Sequence, residues 1–550
     1  MRHMLTGFAH WLRLDFSGVC GGLIFFWASC TPSLLPRGYV VQGIASGLSV
    51  ATGYGLGVLA SRLYHELPAK RRWVMPHDVK RVIIVVFLVT SVVFVFAGLH
   101  WQQAVRQATD AAAVSGDYPI RIVLIASILA LLLIAAGRGT RRLGRYFGRK
   151  LRGRLPPTVA LYGGGILAAV VLLFLINGVI IKGVFGFINY SFGLANKGTP
   201  DGIHQPQASI YSGSPDSKID WNTLGEKGRE FVASAPPKTA IEAFSGQGNG
   251  TQPSRLYAGL ESADTLQARV NLLVAELNRT HAETRQAVVI AIPTGSGGIN
   301  AKAVQSVEYI YNGNTTTLGI QYSYLPSWLS FLADQETARE NGRVLTEAVY
   351  DWWSHLQPTA NRPKLLMYGE SLGTLGADGA FSGVADMHSR MSGVLLAGPP
   401  NANQLWSNIV ADRDTGTPAV LPTYQHGEVA RFTDGKTTLA NNPPERPWAD
   451  NRVAIIQHAS DPVVWASTSL FIHKPDWLRE PRGYDVLPNM NWYPFVTGWQ
   501  VALDLPFAFS ATPGHGHRYD NSVTNAWIAI LQPNLSPSKA TQLQHIIDTL

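Results

Sequence analysis

Long stretches without charged residues occupy the first third of the chain and constrain its fold more than any other feature. They cover residues 16–36, 38–61, 82–99, 122–137 and 158–181. An α-helix needs roughly 20 such residues to cross the hydrocarbon core of a membrane. The fourth stretch reaches that length if residues 118–120 join it and Arg121 extends to the interface. Buried helices of soluble proteins are shorter and carry polar faces, so we predict about five membrane spans.

The composition agrees with an integral membrane protein, because charged residues make up 15% of the chain, against roughly 25% in soluble domains. The first stretch also resembles a cleavable signal peptide in length, but TPSLLPRGY and a second apolar stretch follow it. We therefore interpret it as a retained anchor. No charged residue lies deep inside a stretch, which argues against an ion or proton pathway. The spans are expected to be an anchor or a platform that contacts the lipid bilayer.

Basic loops predict the orientation of these spans. Eight basic and no acidic residues lie between positions 138 and 154, and five basic residues lie within 70–81. Because loops rich in Lys and Arg stay in the cytoplasm, everything after residue 181 is expected outside it. The protein would then be a multi-pass plasma-membrane protein with an extracytoplasmic C-terminal part. We interpret the basic loops as topogenic and as lipid-headgroup contacts. No basic groove with interleaved aromatic residues predicts nucleic acid binding.

The composition of the sequence changes after residue 186, and its pattern changes again after residue 252. The chain is therefore divided into 1–186, 187–252 and 253–550. The second part is rich in Gly, Ser, Pro and Asn and is interpreted as a connecting segment with one helix near 221–233. In the third part short apolar strands alternate with amphipathic helices. Strands are predicted at 287–292, 364–368, 393–397 and 452–458, and helices at 266–279 and 334–356. This alternation predicts a mainly parallel sheet covered on both faces, with its chemistry at the strands' carboxyl ends.

Ser371 is the candidate nucleophile. It lies in LLMYGESLGTLG, residues 365–376, which contains the pattern G-x-S-x-G. The pattern alone is weak in a chain with 53 glycines. Its setting is more specific, because a predicted strand precedes Ser371 directly and a run of small residues able to start a helix follows. A serine in an ordinary strand-to-helix turn is the alternative.

A serine hydroxyl becomes a good nucleophile only when a base takes its proton and a carboxylate orients that base. Asp461 follows the strand RVAIIQH in HASDP, and PGHGHRYDN carries His515 and His517. Ser, Asp, His is the chain order of the α/β-hydrolases. An Asp that opens a turn before Pro is common, so Asp461 alone is ambiguous. The residues themselves do not decide between the two histidines.

The chain resembles the bacterial α/β-hydrolases that carry an N-terminal multi-span membrane domain and are best known from actinobacterial genomes. The resemblance rests on SCTPSLLPRGYVVQG, IPTGSGGIN, GIQYSYLPSWLSFL, RPKLLMYGESLG, AGPPNANQLW and PGHGHRYDN, which span nearly the whole chain. It implies serine-hydrolase or acyl-transfer chemistry at Ser371 but no settled substrate. Because the Gly-His-Gly turn is similar to the histidine loop of many α/β-hydrolases, we prefer His515 as the base.

An acyl-enzyme mechanism needs two backbone donors that face the developing oxyanion. The amide of Leu372 is one candidate, and Thr294, Gly295 and Ser296 in the loop after residue 292 are candidates for the other. This loop, PTGSGG, lacks the Lys of a phosphate-binding P-loop; a merely flexible loop is the other alternative.

Four aromatic residues follow within the stretch 321–332: Tyr322, Tyr324, Trp328 and Phe331. Such a cluster is either core packing or a substrate-binding wall for an acyl chain, or a surface that faces the bilayer.

Together these patterns predict a membrane-anchored serine esterase or lipase that acts on lipid or cell-envelope esters and needs no metal or organic cofactor. Cys20 and Cys30 both lie in the first apolar stretch, so the rest of the chain has no thiol for a disulfide, a zinc site or a nucleophile. An acyltransferase that acts on an envelope sugar or lipid is the nearest alternative. A non-catalytic envelope assembly protein that keeps the fold is a second alternative.

Overall fold

A computed structural model of the chain describes residues 14–67, 75–113, 118–153, 155–175, 178, 182–357, 362–443 and 446–550. Residues 70–72 and Arg154, which belong to the predicted cytoplasmic loops, therefore lie outside the described residues. Parts of the expected span 158–181 do as well.

The N-terminal helices form where the apolar stretches predict them. Their bounds are α1 Phe16–Ser29, α2 Tyr39–Glu66, α3 His77–Ala108, α4 Tyr118–Leu151 and α5 Pro157–Phe174. Among the described residues four of them, α2 to α5, are long and apolar enough to cross a membrane. The expectation of five spans is corrected by α1, which has only 14 residues. The sequence CTPSLLP ends this helix, because a residue that precedes proline disfavours the helical conformation.

Two compact units divide the chain. Unit 1 comprises residues 1–186, 468–479 and 486–504, and unit 2 comprises 187–467, 480–485 and 505–550. Unit 1 thus contains the helix α17 Val496–Asp504 in addition to the N-terminal helices. The sequence-based division at 253–550 had placed both short segments with the C-terminal domain. The segment 468–479 is short and charged, and residues 486–503, although uncharged, include two prolines and three amide side chains, so neither segment indicates a membrane span.

Unit 1 is held together in part by a buried ion pair. Arg37, in the loop between α1 and α2, contacts Asp504 at 2.7 Å, and both side chains are 1% exposed. Ser33 donates a hydrogen bond of 2.6 Å to the same carboxylate, and the Arg37 amide donates to Gln102 at the end of α3. The ends of α17 and α3 therefore meet the loop between α1 and α2 within this unit.

Unit 2 is built on a seven-stranded parallel sheet in the order β1-β3-β2-β4-β5-β7-β6. The strands are β1 Ser254–Ala258, β2 Ala287–Ile292, β3 Thr315–Ile320, β4 Lys364–Glu370, β5 Gly393–Ala397, β6 Ala430–Thr433 and β7 Arg452–Ile456. The expected mainly parallel sheet is confirmed. The strand β4 lies at the centre, so the segment that follows it emerges in the middle of the sheet's carboxyl edge.

Helices complete unit 2. They are α6 Lys182–Lys197, which crosses the boundary, α7 Gly225–Ala233, α8 Lys238–Ser245, α9 Leu266–Arg279, α10 Ala301–Ile310, α11 Ser327–Ala333, α12 Gln335–Ser354, α13 Gly373–Ala380, α14 Val384–Arg390, α15 Gln404–Ala411, α16 Pro462–Trp465, α18 Val523–Leu531 and α19 Pro537–Asp548. Trp527 of α18 is fully buried in the core with Leu366, Leu395 and Ala454 of the sheet. This packing fixes the position of the loop before α18, which carries both candidate histidines.

Candidate active site

Ser371 lies in a sharp turn between β4 and α13. Its φ is +57°, a left-handed conformation that a residue with a side chain adopts only at a cost of about 1–3 kcal/mol. Its amide donates to the carbonyl of Ala397 at the end of β5, at 2.9 Å. The serine is therefore held in a strained conformation at the ends of two central strands, which is the geometry of a nucleophile elbow.

The flanking glycines are required by close packing. A Cβ on Gly373 would lie 2.3 Å from the carbonyl oxygen of Ile292 at the end of β2, and one on Gly369 would lie 2.8 Å from that of Gly373. Any side chain at these positions would collide with main chain that cannot move aside. The turn can close only because both residues lack one.

Asp461 orients a histidine. One carboxylate oxygen accepts a hydrogen bond of 2.8 Å from the Val463 amide at the N-terminus of α16. The other lies 2.6 Å from Nδ1 of His517 and accepts a second bond of 2.6 Å from the Tyr519 hydroxyl. Asp461 and His517 are both fully buried. With Nδ1 donating to the carboxylate, Nε2 of His517 carries the lone pair, and it has no hydrogen-bond partner among the described residues.

His517 and Ser371 converge on the same strand end. A Cβ on Gly398, the residue after β5, would lie 2.6 Å from Cε1 of the His517 ring. The Ser371 amide bonds to Ala397, one residue earlier. The candidate nucleophile, the imidazole and the carboxylate thus gather at the ends of β4, β5 and β7.

His515 occupies a different environment, and the preference for it as the base does not fit this geometry. Its Nδ1 lies 3.2 Å from Asp485 and not beside Asp461. Asp485 also accepts hydrogen bonds from the amide and the hydroxyl of Ser460, and the Ser460 hydroxyl accepts one from the Gly516 amide at 2.8 Å. Because Ser460 adjoins Asp461 in sequence, this second pair ties the aspartate loop to the histidine loop.

A third histidine, His458, supports the same loop. Its Nδ1 donates to the Gly516 carbonyl at 2.9 Å, and its ring stacks on Tyr519 at 4.3 Å between centroids. Burial lowers the pKa of His458, so the ring is neutral near pH 7. Burial also raises the pKa of Tyr519 well above its usual range, which keeps its hydroxyl protonated as a donor to Asp461.

Glu370, the residue before the nucleophile, belongs to a separate polar group. It accepts hydrogen bonds from the Tyr368 hydroxyl and, at 2.8 Å, from Asn300, which also donates to Asp520 at 3.2 Å. Burial raises the pKa of the Glu370 carboxyl, while the proximity of His517 acts in the opposite direction. In the described residues no group of three or more His, Cys, Asp or Glu could hold a metal ion.

The predicted oxyanion donors are not equivalent. The Thr294 amide donates to the Gly298 carbonyl at 2.8 Å, so it is already engaged within its own loop. The amides of Leu372 and Gly295 donate to no other group in the described part of the chain. A Cβ on Gly295 would lie 2.9 Å from the Leu372 side chain, which brings the two residues together. This geometry favours Gly295 over Thr294 as the partner of Leu372.

The predicted aromatic wall separates into three environments. Tyr322 is buried, packs with Leu372 and Phe331, and its hydroxyl has no partner among the described residues. Tyr324 is half-buried, with its hydroxyl near Gly193 of α6. Trp328 is 36% exposed. Of the three, Tyr322 is the one that the structure brings beside the candidate nucleophile.

A model of the alpha/beta-hydrolase family matches residues 254–543, which is more than half of the chain and includes Ser371, Asp461 and His517. The chain belongs to the alpha/beta-hydrolase family. A model of the N-terminus of this alpha/beta-hydrolase family matches residues 30–236 as well. No curated protein and no solved structure shows a match to the chain.

Several groups of this alpha/beta-hydrolase site were not singled out from the sequence. Tyr519 and Ser460 lie in the stretches PGHGHRYDN and HASDP, and their proximity to the candidate triad was a usable signal. Asp485 lies in RGYDVLP, where no motif marks it. Only the folded chain brings that carboxylate to His515.

Proposed function

We propose that this chain is a membrane-anchored serine hydrolase that cleaves carboxylic esters through an acyl-enzyme at Ser371. The observation that carries the proposal is the convergence of a strained Ser371 with the buried Asp461–His517 pair, whose free Nε2 is available as a base. An ordinary turn serine lacks both this strained conformation and a buried Asp–His pair at the same strand end.

In this mechanism His517 is the general base. Its Nε2 removes the proton from Ser371 as Oγ attacks the ester carbonyl, and Asp461 stabilises the imidazolium through Nδ1. The amides of Leu372 and Gly295 donate to the oxyanion. His517 then protonates the leaving alcohol, the acyl group stays on Oγ, and water activated by the same nitrogen releases the acid.

A lipid or an acylated envelope component is the proposed substrate class. Long apolar helices precede the hydrolase-fold unit, and α2 to α5 have the length and composition of membrane spans. Beside the candidate nucleophile, Tyr322, Leu372 and Leu375 form a buried apolar cluster, an environment compatible with an acyl chain. A tethered enzyme gains most from its tether when its substrate is in the membrane.

We propose that unit 2 lies outside the cytoplasm. The basic segment 138–153 favours a cytoplasmic position for the end of α4, which sends α5 and everything after it to the other side. The contact between Arg37 and Asp504 is consistent with this path, because four crossings by α2 to α5 return the chain to the side of Arg37.

A reporter that is active only in the periplasm tests this orientation. It should be active when fused after residue 200 and inactive when fused near Arg145; the reverse result would overturn the orientation.

Labelling with a fluorophosphonate tests the chemistry directly. The probe reacts with a serine that a base has activated, so the full-length enzyme should be labelled and Ser371→Ala should not. Ser389→Ala, an exposed serine on α14, is the matched control and should be labelled normally. Folded wild-type protein that refuses the probe would overturn the enzymatic proposal and leave a non-catalytic envelope protein.

Acyl transfer is the second candidate, and the burial of Ser371, which is only 2% exposed, supports it. A buried acyl-enzyme is shielded from water and survives until an acceptor hydroxyl arrives. Incubation with a radiolabelled acyl ester and envelope-lipid extract distinguishes the two. Labelled free acid indicates hydrolysis, and label on a new lipid or sugar indicates transfer.

A further inference from the structure

Unit 1 contains a second candidate site, which none of the residues of the candidate triad line. A cavity of about 1050 Å³ opens between α2 and α4, with contributions from Asp15 and Gly165. We propose that this cavity binds the phosphate headgroup of an anionic membrane lipid.

The cavity carries a large excess of positive charge. Its lining includes five arginines: Arg62 on α2, and Arg138, Arg141, Arg142 and Arg145 on α4. The Arg141 guanidinium is close enough to experience repulsion from Arg62, Arg138 and Arg145. Several arginines held together in this way form a strong site for phosphate, because each planar guanidinium can offer two parallel donors to its oxygens.

The chain supplies almost no compensating charge. Among the described residues of the lining, Asp15 is the one carboxylate, and it accepts a hydrogen bond of 2.9 Å from the Gly18 amide as the N-cap of α1. In the described part of the chain no carboxylate forms an ion pair with Arg62, Arg141 or Arg145. Arg138 donates to the Tyr54 hydroxyl at 3.2 Å.

One end of the cavity, away from the arginines, is apolar. The helices α2 and α4 run in parallel and pack closely at Gly43 and Gly47, where an added Cβ would lie 2.7 Å from Ile125 and 2.9 Å from Leu129. Further along, the cavity is lined first by Ala51, Leu133 and Ile134 and then by the arginines. This gradient extends over roughly 16 Å of helix and matches an amphiphile with its acyl chain beside the leucine and its phosphate at the arginines.

The positive-inside rule does not by itself produce this arrangement. Orientation requires only that basic residues lie near the ends of the spans on one side. Here residues from two helices, separated by almost 80 positions in sequence, face one cavity. Arg149 and Lys150 at the end of the same helix do not line it and provide a natural comparison.

Native mass spectrometry of the full-length protein in neutral detergent tests the assignment. We expect one bound dioleoyl phosphatidylglycerol per chain, bound more tightly than dioleoyl phosphatidylcholine. Arg141→Gln with Arg145→Gln should weaken phosphatidylglycerol binding about tenfold or more, since two charge-assisted contacts are lost. Arg149→Gln with Lys150→Gln removes the same charge from the same helix and should change binding less than about threefold.

Thermal unfolding of each variant establishes that it is folded, and a folded Arg141→Lys, Arg145→Lys variant should keep part of the affinity. Equal losses of phosphatidylglycerol affinity in the two glutamine variants would overturn the cavity as the binding site and indicate diffuse electrostatic attraction. Equal binding of the two lipids would overturn recognition of an anionic headgroup. Displacement of the lipid by millimolar inorganic phosphate would overturn the proposal that the bound phosphate belongs to a lipid and would assign the site to free phosphate. None of these readouts depends on hydrolase activity.

Discussion

Two histidines separated by one glycine have different partners, and our proposal that His517 is the base rests on this difference. His517 bonds to Asp461, and its Nε2 has no partner among the described residues, whereas His515 bonds to Asp485, which also holds Ser460. The first arrangement matches the requirement of a general base, an oriented imidazole with an open nitrogen. The second ties two loops together.

Replacement of each histidine by alanine should separate these roles. His517→Ala should lower the rate of acylation by a short-chain ester on the order of 10⁴-fold or more, since no other group can take the serine proton. His515→Ala should cost on the order of 10-fold, through looser positioning of the loop. The measurement is the burst-phase rate with a nitrophenyl ester. Equal losses would contradict the assignment of the base.

Burial of His458 predicts a pH dependence of stability. Its pKa is lowered in the folded chain, so the unfolded chain binds the proton more readily and the folded state loses stability as pH falls below about 6.5. Asp485 and Asp461 oppose this shift without cancelling it. His458→Gln can keep the bond to Gly516, and its Tm should fall less than that of wild type between pH 7.5 and 5.5.

The exposed His355 offers the control for this measurement. Its side chain is 77% exposed, so His355→Gln should retain the pH dependence of the wild type. If His458→Gln and wild type lose the same Tm, then another group accounts for the acid sensitivity.

At the residue scale, the sequence indicated the nucleophile, the carboxylate and a pair of candidate bases, because these residues follow predicted strands in a recognisable order. It could not assign the partner of each histidine. A separation of two residues places both side chains in one loop, and only the path of residues 480–485 brings a second carboxylate to His515.

At the scale of elements, the turn around Ser371 depends on close contact between its own main chain and that at the end of β2. Gly373→Ala should destabilise unit 2 by about 1–3 kcal/mol, because the new methyl group would collide with the Ile292 carbonyl. It should also abolish fluorophosphonate labelling, since the displaced turn no longer presents Ser371. Chemical denaturation followed by tryptophan fluorescence measures the first effect.

Gly383→Ala is the control for this substitution. No atom lies within 4 Å of a Cβ at Gly383, and its backbone is extended at φ 166°. This variant should be as stable as wild type and label normally. Normal labelling of Gly373→Ala would mean that the turn tolerates a side chain and that close packing is not what shapes it.

The strands that the sequence predicted are those with continuous apolar runs, β2, β4, β5 and β7. The strands β1, β3 and β6 were not predicted, because polar residues interrupt them. Arg255 of β1 is fully buried against Glu308 of α10 at 2.8 Å. A buried charge is tolerated when it is paired, and the pairing partner, 53 residues away, cannot be recognised from the strand itself.

At the scale of the whole molecule, the pair of Arg37 and Asp504 joins the beginning of unit 1 to a segment near the end of the chain. Asp504→Ala leaves a buried guanidinium without its carboxylate and should cost about 3–5 kcal/mol. The Tm of the full-length protein in detergent should fall accordingly.

Two further variants sharpen this test. The double variant Arg37→Met, Asp504→Leu removes both charges and should recover much of the lost stability. Asp476→Ala, which removes an exposed carboxylate from a short segment of the same unit, should leave the Tm nearly unchanged. A Tm unaffected by Asp504→Ala would contradict the structural importance of the pair.

The alternation of the two units along the chain has a consequence for biosynthesis. A ribosome completes the helices α1 to α5 long before it reaches residues 468–504, so unit 1 stays unfinished until most of unit 2 has been translated. During that interval the Arg37 guanidinium lacks its carboxylate, and the insertion machinery or a chaperone must tolerate a half-built polar cluster. Stop codons introduced after residue 467 should therefore yield chains that insert into the membrane and are then degraded, whereas chains that end after 504 should persist longer.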